Sequence, residues 1–196
     1  MFKKIYVFVA CIGFVISIHQ NCSAQDKTKE EIKAEREALK AEMQSKDVQD
    51  REAKFQSLEA PKNCSIATVD ALAVSSAGIL LTSKENTKLI PEIYGRAINP
   101  TSGDGITDVT VKKPTLDELV KLAGNLALQV TSVTVATQAI SAAAEDIKKA
   151  SPFQAPKGMK SLNFSKEVLA LAAPELALNV KVVNNLIATL KSANNN

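Results

Sequence analysis

The chain has 196 residues, 45% of them hydrophobic and 23% charged, and a formal net charge of +3. That balance gives no global reason to seek nucleic acid or an acidic partner. Its one histidine is His19, it has no tryptophan, and beyond residue 24 it has a single tyrosine, Tyr94, and a single cysteine, Cys64. Chemistry near neutral pH usually draws on a histidine, a reactive thiol or a metal held by them, so the inventory disfavours an enzyme and favours binding or assembly.

Residues 1–24 read as an export signal. Lys3 and Lys4 form a basic start, Ile5 to Ile18 an uncharged apolar run, and Cys22-Ser23-Ala24 a small-residue cleavage site before Gln25. The run falls short of the roughly 20 residues that a membrane span requires. A lipid on Cys22 is disfavoured because His19, Gln20 and Asn21 stand where a lipobox has aliphatic and small residues. The expected location is therefore periplasmic or extracellular, with cleavage at Ala24–Gln25. Of the 24 basic residues only Lys3 and Lys4 leave with the signal, so 22 face 21 acids and the remaining chain carries +1. Cys11 and Cys22 leave as well. Cys64 then has no partner within the chain, and its simplest role is a small buried apolar group.

The segment 25–60 is densely charged and free of Gly, and its first proline-bearing pair is Ala60-Pro61. Glu42–Lys46, Asp47–Arg51 and Asp50–Lys54 are acid-before-base pairs four apart, which support a helix. The pattern predicts one long, mostly solvated helical extension, with Ile32 and Leu39 in one apolar phase and Val48 and Phe55 in another. So few apolar residues suggest that this extension lies against a partner or a second copy.

Residues 61–196 are expected to form the bundle domain. Ile66, Val69, Ala73, Ser76 and Leu80 step by threes and fours, predicting a helix to about Ser83, and Lys88–Ile98 predicts another with Pro91 in its first turn. The segment 99–114, with Asn99-Pro100 and Gly103-Asp104-Gly105, is the clearly non-helical stretch, with a short strand or extended arm around Val109 and Val111. Its length marks it as a candidate functional loop.

Thr115 and Glu118 make a capping box, followed by a seam of Leu116, Leu119, Ala123, Leu126, Val130, Val133, Thr137, Ile140, Ala144 and Ile147. That repeat predicts coiled-coil-like packing along a helix of about 50 Å. Ser151-Pro152 ends it, and a last helix is expected from Lys166 to about Lys191, kinked at Pro174. The fold class is thus all-α, an antiparallel helical bundle.

Two stretches bear on function. Residues 122–144 hold no charge, but Asn125, Gln129, Thr131, Ser132, Thr134, Thr137, Gln138 and Ser141 make a membrane span costly, so core packing is preferred. The expected loop 151–165 and its flanks place Lys148, Lys149, Lys157, Lys160 and Lys166 among Phe153, Met159 and Phe164. Basic and apolar groups together suit an anionic membrane surface or an acidic partner, although a wet end of the bundle is the preferred reading.

No catalytic, cofactor-binding or metal-ligating set is visible. Asp104 and Asp108 lack the rest of a calcium-loop pattern, and there is no G-x-S-x-G, P-loop or G-x-G-x-x-G. In outline, an export signal before a charged helix resembles periplasmic holding chaperones, a likeness of composition that assigns no residue a role. The expectation is an exported helical interaction or assembly protein, with a membrane-active protein using residues 122–144 as the alternative.

Overall fold

The computed structural model describes residues 27–98 and 112–194, and within them every regular element is an α-helix. The export signal and most of the 99–114 loop lie outside the described residues. The helices are α1 (Lys29–Met43), α2 (Lys46–Ser57), α3 (Ala67–Ile98), α4 (Leu116–Lys149) and α5 (Ala155–Asn194).

The charged N-terminal segment is two helices, not one. Gln44 closes α1 by donating its N–H to the Lys40 carbonyl, and the Ser45 hydroxyl caps α2 by accepting from the Val48 N–H at 3.4 Å. The phase change explains the break. Leu39 and Val48 are nine positions apart, which on a continuous helix is roughly half a turn out of register. Breaking at Ser45 lets Ile32, Leu39 and Phe55 all be buried. The apolar residues of this segment are therefore covered by the chain itself.

α3 runs through Pro91 without the predicted interruption. Pro91 sits on an exposed position, so the helical hydrogen bond lost to the Thr87 carbonyl falls near solvent rather than in the core. α4 begins at the predicted capping box: Thr115 Oγ1 accepts from Glu118 N at 3.2 Å, and Glu118 Oε2 accepts from Thr115 N at 2.7 Å. Its fully buried line is Leu119, Leu122, Leu126, Val133, Ala136, Ala143 and Ile147. Four of the ten predicted seam residues, Leu119, Leu126, Val133 and Ile147, lie on it, whereas Leu116, Ala123, Val130, Thr137, Ile140 and Ala144 are only partly buried. The buried line keeps the spacing of three and four, with Leu122, Ala136 and Ala143 in place of Ala123, Thr137 and Ala144.

The connection after α4 is a tight turn, 150–154, not a loop reaching residue 165. α5 starts at Ala155 rather than Lys166, because Pro156 in a first turn costs no helical hydrogen bond. It passes Pro174 and remains continuous. At Gly158 the two neighbours come close: a Cβ there would stand 2.8 Å from Ile66 Cδ1 and 3.0 Å from Ile147 Cγ1.

α5 is the hub, packing against all four other helices. Leu162, Leu169, Ala172, Leu176, Val183 and Leu186 are buried on it, and so are Ser165, Val168, Leu178, Val182 and Asn185. So wide a buried arc requires cover on two sides, with Asn185 and Glu175 bonded to α1 and α2 at one edge and α3 and α4 packed on the rest. α3 and α4 are antiparallel, since Asn86 pairs with Gln129 whereas Thr68, nearer the start of α3, pairs with Asp146 near the end of α4.

The continuity of α3 is testable by Pro91→Ala. Restoring the missing donor should raise stability by up to about 3 kcal/mol in urea unfolding. No gain would show that the chain does not carry a regular helix across this point.

Candidate functional site

Two surfaces and one buried pair stand out. The first surface is the end of the bundle where α4 turns into α5, the place picked out by sequence. Phe153, at the turn, is 87% exposed, and Met159 on α5 is 47% exposed. Lys148 and Lys149 lie in the last turn of α4, while Lys157, Lys160 and Lys166 are exposed on α5. Phe164 does not belong with them, being only 7% exposed and part of the core. The turn is not a free loop: Gln154 Nε2 donates to the Ser65 carbonyl at 3.2 Å and Thr68 Oγ1 donates to Asp146 at 2.7 Å.

The charge of this end is partly cancelled. Lys148 meets Glu145 at 2.6 Å, Lys149 meets Asp146 at 3.9 Å, and Lys148 holds the Glu145 carboxyl below its ordinary range. Two of the five lysines are therefore answered locally, which weakens a purely electrostatic role.

The second surface is the outward side of α3 and α4. Val74 and Leu81 are exposed seven positions apart on α3, and Leu128 and Val135 seven apart on α4. Between them a shallow groove is lined by Ser75, Gly78, Ile79, Thr82, Gln129 and Ser132. Added Cβ atoms at Gly78 and at Gly124 would meet nothing within 4 Å. Residues 71–83 and 122–144 carry no charge. Among the described residues α4 is the one helix long and apolar enough to cross a membrane, yet only 22% of its most apolar window is buried. A core helix would hide most of that window.

The polar groups on this side are quieter than their identities suggest. Thr131, Ser132, Thr134 and Thr137 each donate to the carbonyl four residues back, at 3.1, 3.0, 2.9 and 2.7 Å. Thr82 does the same to Gly78 at 2.9 Å. Gln129 accepts from Asn86 Nδ2 at 2.8 Å. Hydroxyl protons spent on the helix's own backbone ask for no outside acceptor, so covering this face costs less than a count of Ser and Thr implies.

The buried pair is Arg51 with Glu175, Nε to Oε2 at 3.2 Å. It joins α2 to the hub, as Asn185 joins α1 by donating to the Ile32 carbonyl at 3.0 Å and to Glu35 at 2.9 Å. Sequence reading missed both, although a Glu directly after Pro174 inside an apolar run was a visible signal. Burial pushes the Glu175 carboxyl up, and the Arg51 guanidinium opposes that shift without cancelling it.

Cys64 is buried, its N–H donating to Asp70 Oδ1 at 2.8 Å. Burial, then the neighbouring Asp70 carboxylate, pushes its thiol up, the reverse of what a nucleophile needs. Among the described residues no three of His, Cys, Asp and Glu are placed to hold a metal ion. Asp104 and Asp108 lie outside the described residues.

Comparison with known protein families, with characterised proteins and with solved structures finds no match.

The buried pair yields a pH prediction. Glu175 has a higher pKa folded than unfolded, so its contribution is most favourable below the ordinary carboxylate value and is lost as pH rises through the folded pKa. Arg51→Met removes the opposing charge and should cost about 3–5 kcal/mol near neutral pH. The deficit should shrink as pH falls into the acid range in paired thermal melts, and a second change, Glu175→Gln, should abolish that trend. A deficit independent of pH would show that Arg51 acts by packing alone.

Proposed function

We propose that this chain is an exported, non-catalytic helical protein that acts through protein contact, using the outward face of α3 and α4. The observation that carries this reading is the exposure of Val74, Leu81, Leu128 and Val135 on stretches without a single charge. Elsewhere the surface is of another kind. α1 and α2 are rich in exposed Lys and Glu, which keep a surface wet. Exposed apolar residues seven apart on each helix suit a partner helix packed in coiled-coil fashion. The end of the bundle around Phe153 is a secondary contact, limited by its partly answered lysines.

The compartment is part of the proposal. Export rests on Lys3-Lys4, the apolar run and the Cys22-Ser23-Ala24 site.

A second reading has one observation in its favour: the backbone-bonded hydroxyls of Thr131, Ser132, Thr134 and Thr137 reduce the cost of placing α4 in lipid. Against it stand Asn125 and Gln138, both exposed within the stretch.

Two measurements separate these readings. A photo-cross-linker in place of Leu128 should give discrete protein adducts in cells exporting the chain, while the same group in place of exposed Asn184 should give none. Purified protein should not release dye from liposomes. Lipid adducts with strong leakage would instead establish the membrane-active reading. N-terminal sequencing should begin at Gln25, and an intact Met1 would refute export with cleavage.

A further inference from the structure

The partner of the α3–α4 face can be narrowed by its own chemistry. A partner presenting charged groups would bury them against residues 71–83 and 122–144, which offer no counter-charge. The matching surface must itself be nearly uncharged, with small side chains that let helices approach. Among the described residues 122–144 is the longest run without a charge, so another copy of this face offers such a match.

We infer that the face is covered by a second copy of the same chain, in a two-fold packing of α3 and α4 on α3 and α4; this rests on the protein-contact reading above. Its size is adequate. The 23 residues 122–144 span about 34 Å at 1.5 Å per residue. With the shorter uncharged stretch of α3 alongside, and helices about 10 Å wide, each copy offers on the order of 500–700 Å². Two copies together clear the roughly 1,000 Å² expected of a stable specific interface.

The layout also suits a two-fold axis. Residues 71–83 centre on Ala77, beside Gly78, and residues 122–144 centre on Val133, beside Ser132. Gly78 and Ser132 line the same groove, so the middle of both stretches falls at one place. An axis there sets the exposed Leu81 and Leu128 of one copy against the equivalent region of the other, since an isologous contact uses the same patch twice. At the centre Gly78 and Ser132 keep the bulk low, and the Ser132 hydroxyl is already bonded to the Leu128 carbonyl. The dimer would be held by apolar contact, with no ion pair at its middle, so raising the salt concentration should not dissociate it.

Sedimentation equilibrium of the purified exported protein tests the inference. The expected mass is twice that of the chain, unchanged in high salt, and Leu128→Glu should reduce it to the monomer while keeping the helical circular dichroism. Because that variant risks unfolding, Ser132→Cys in the otherwise intact surface provides an independent arm. It should form an inter-chain disulfide on mild oxidation, whereas Glu167→Cys, at an exposed position of α5, should not. A monomer at every concentration overturns the dimer. If that monomer leaves liposomes intact, the contact reading survives with another partner; if it releases dye, both fall. A dimer that persists in Leu128→Glu, or that fails to cross-link through Ser132→Cys, places the contact elsewhere and also overturns the inference.

Discussion

The structure depends on a helix that is apolar on two sides. α5 carries Leu169, Leu176 and Val183 along one edge of a wide buried arc, Leu178 and Val182 along the other, and Val168 and Leu186 between them, all buried. Such a helix cannot rest on a single layer without leaving one stripe wet, at about 25 cal/mol for each Å² left exposed. α3 and α4 cover one side. The other falls to α1 and α2, whose few apolar residues are enough because Ile32, Leu39 and Phe55 are spent entirely on it and its neighbours. Polar fastenings then fix their positions: Arg51 to Glu175, and Asn185 to the Ile32 carbonyl.

This arrangement has a consequence for α3 and α4. Each turns one face to α5 and to the other, and on their outer sides Val74, Leu81, Leu128 and Val135 stay exposed. The outer sides therefore carry whatever the sequence places there, and it places Val74, Leu81, Leu128 and Val135 among small uncharged residues. Isolated exposed apolar residues are ordinary on any protein. Their alignment at intervals of seven, with no charge over 23 residues of α4 and with hydroxyls turned back onto the helix, is a different matter. A surface meant only for water has no need of those features.

Much of the fold was legible in sequence, and the failures share a cause. The all-helical class, the capping box at Thr115 and the end of α4 before Ser151-Pro152 rest on local signals, and local signals survive folding. The break at Ser45 was also written locally, in the shift of phase between Leu39 and Val48, but high helix propensity across 25–60 hid it. The start of α5 was placed too late because lysines between residues 157 and 166 mimic a solvated loop, whereas they form the wet side of a helix whose other side holds Leu162 and Phe164. The missed surface is more instructive. The uncharged stretch 122–144 was visible, but whether it points inward depends on how many layers lie outside it, which is a tertiary fact. Periodicity assigned all ten seam positions to the core and said nothing about Leu128 and Val135 on the far side.

The central claim is that the outward face of α3 and α4 is covered in the working form of the protein, and side-chain footprinting of the exported fraction tests it most directly. Leu126 and Val133, which face the core, should be protected both in the native fraction and in dilute purified chain. Leu128 and Val135 should be protected in the native fraction and become reactive on dilution. Equal reactivity of Leu128 and Val135 in both preparations would contradict the account, because the face would then be open to water wherever the protein is found.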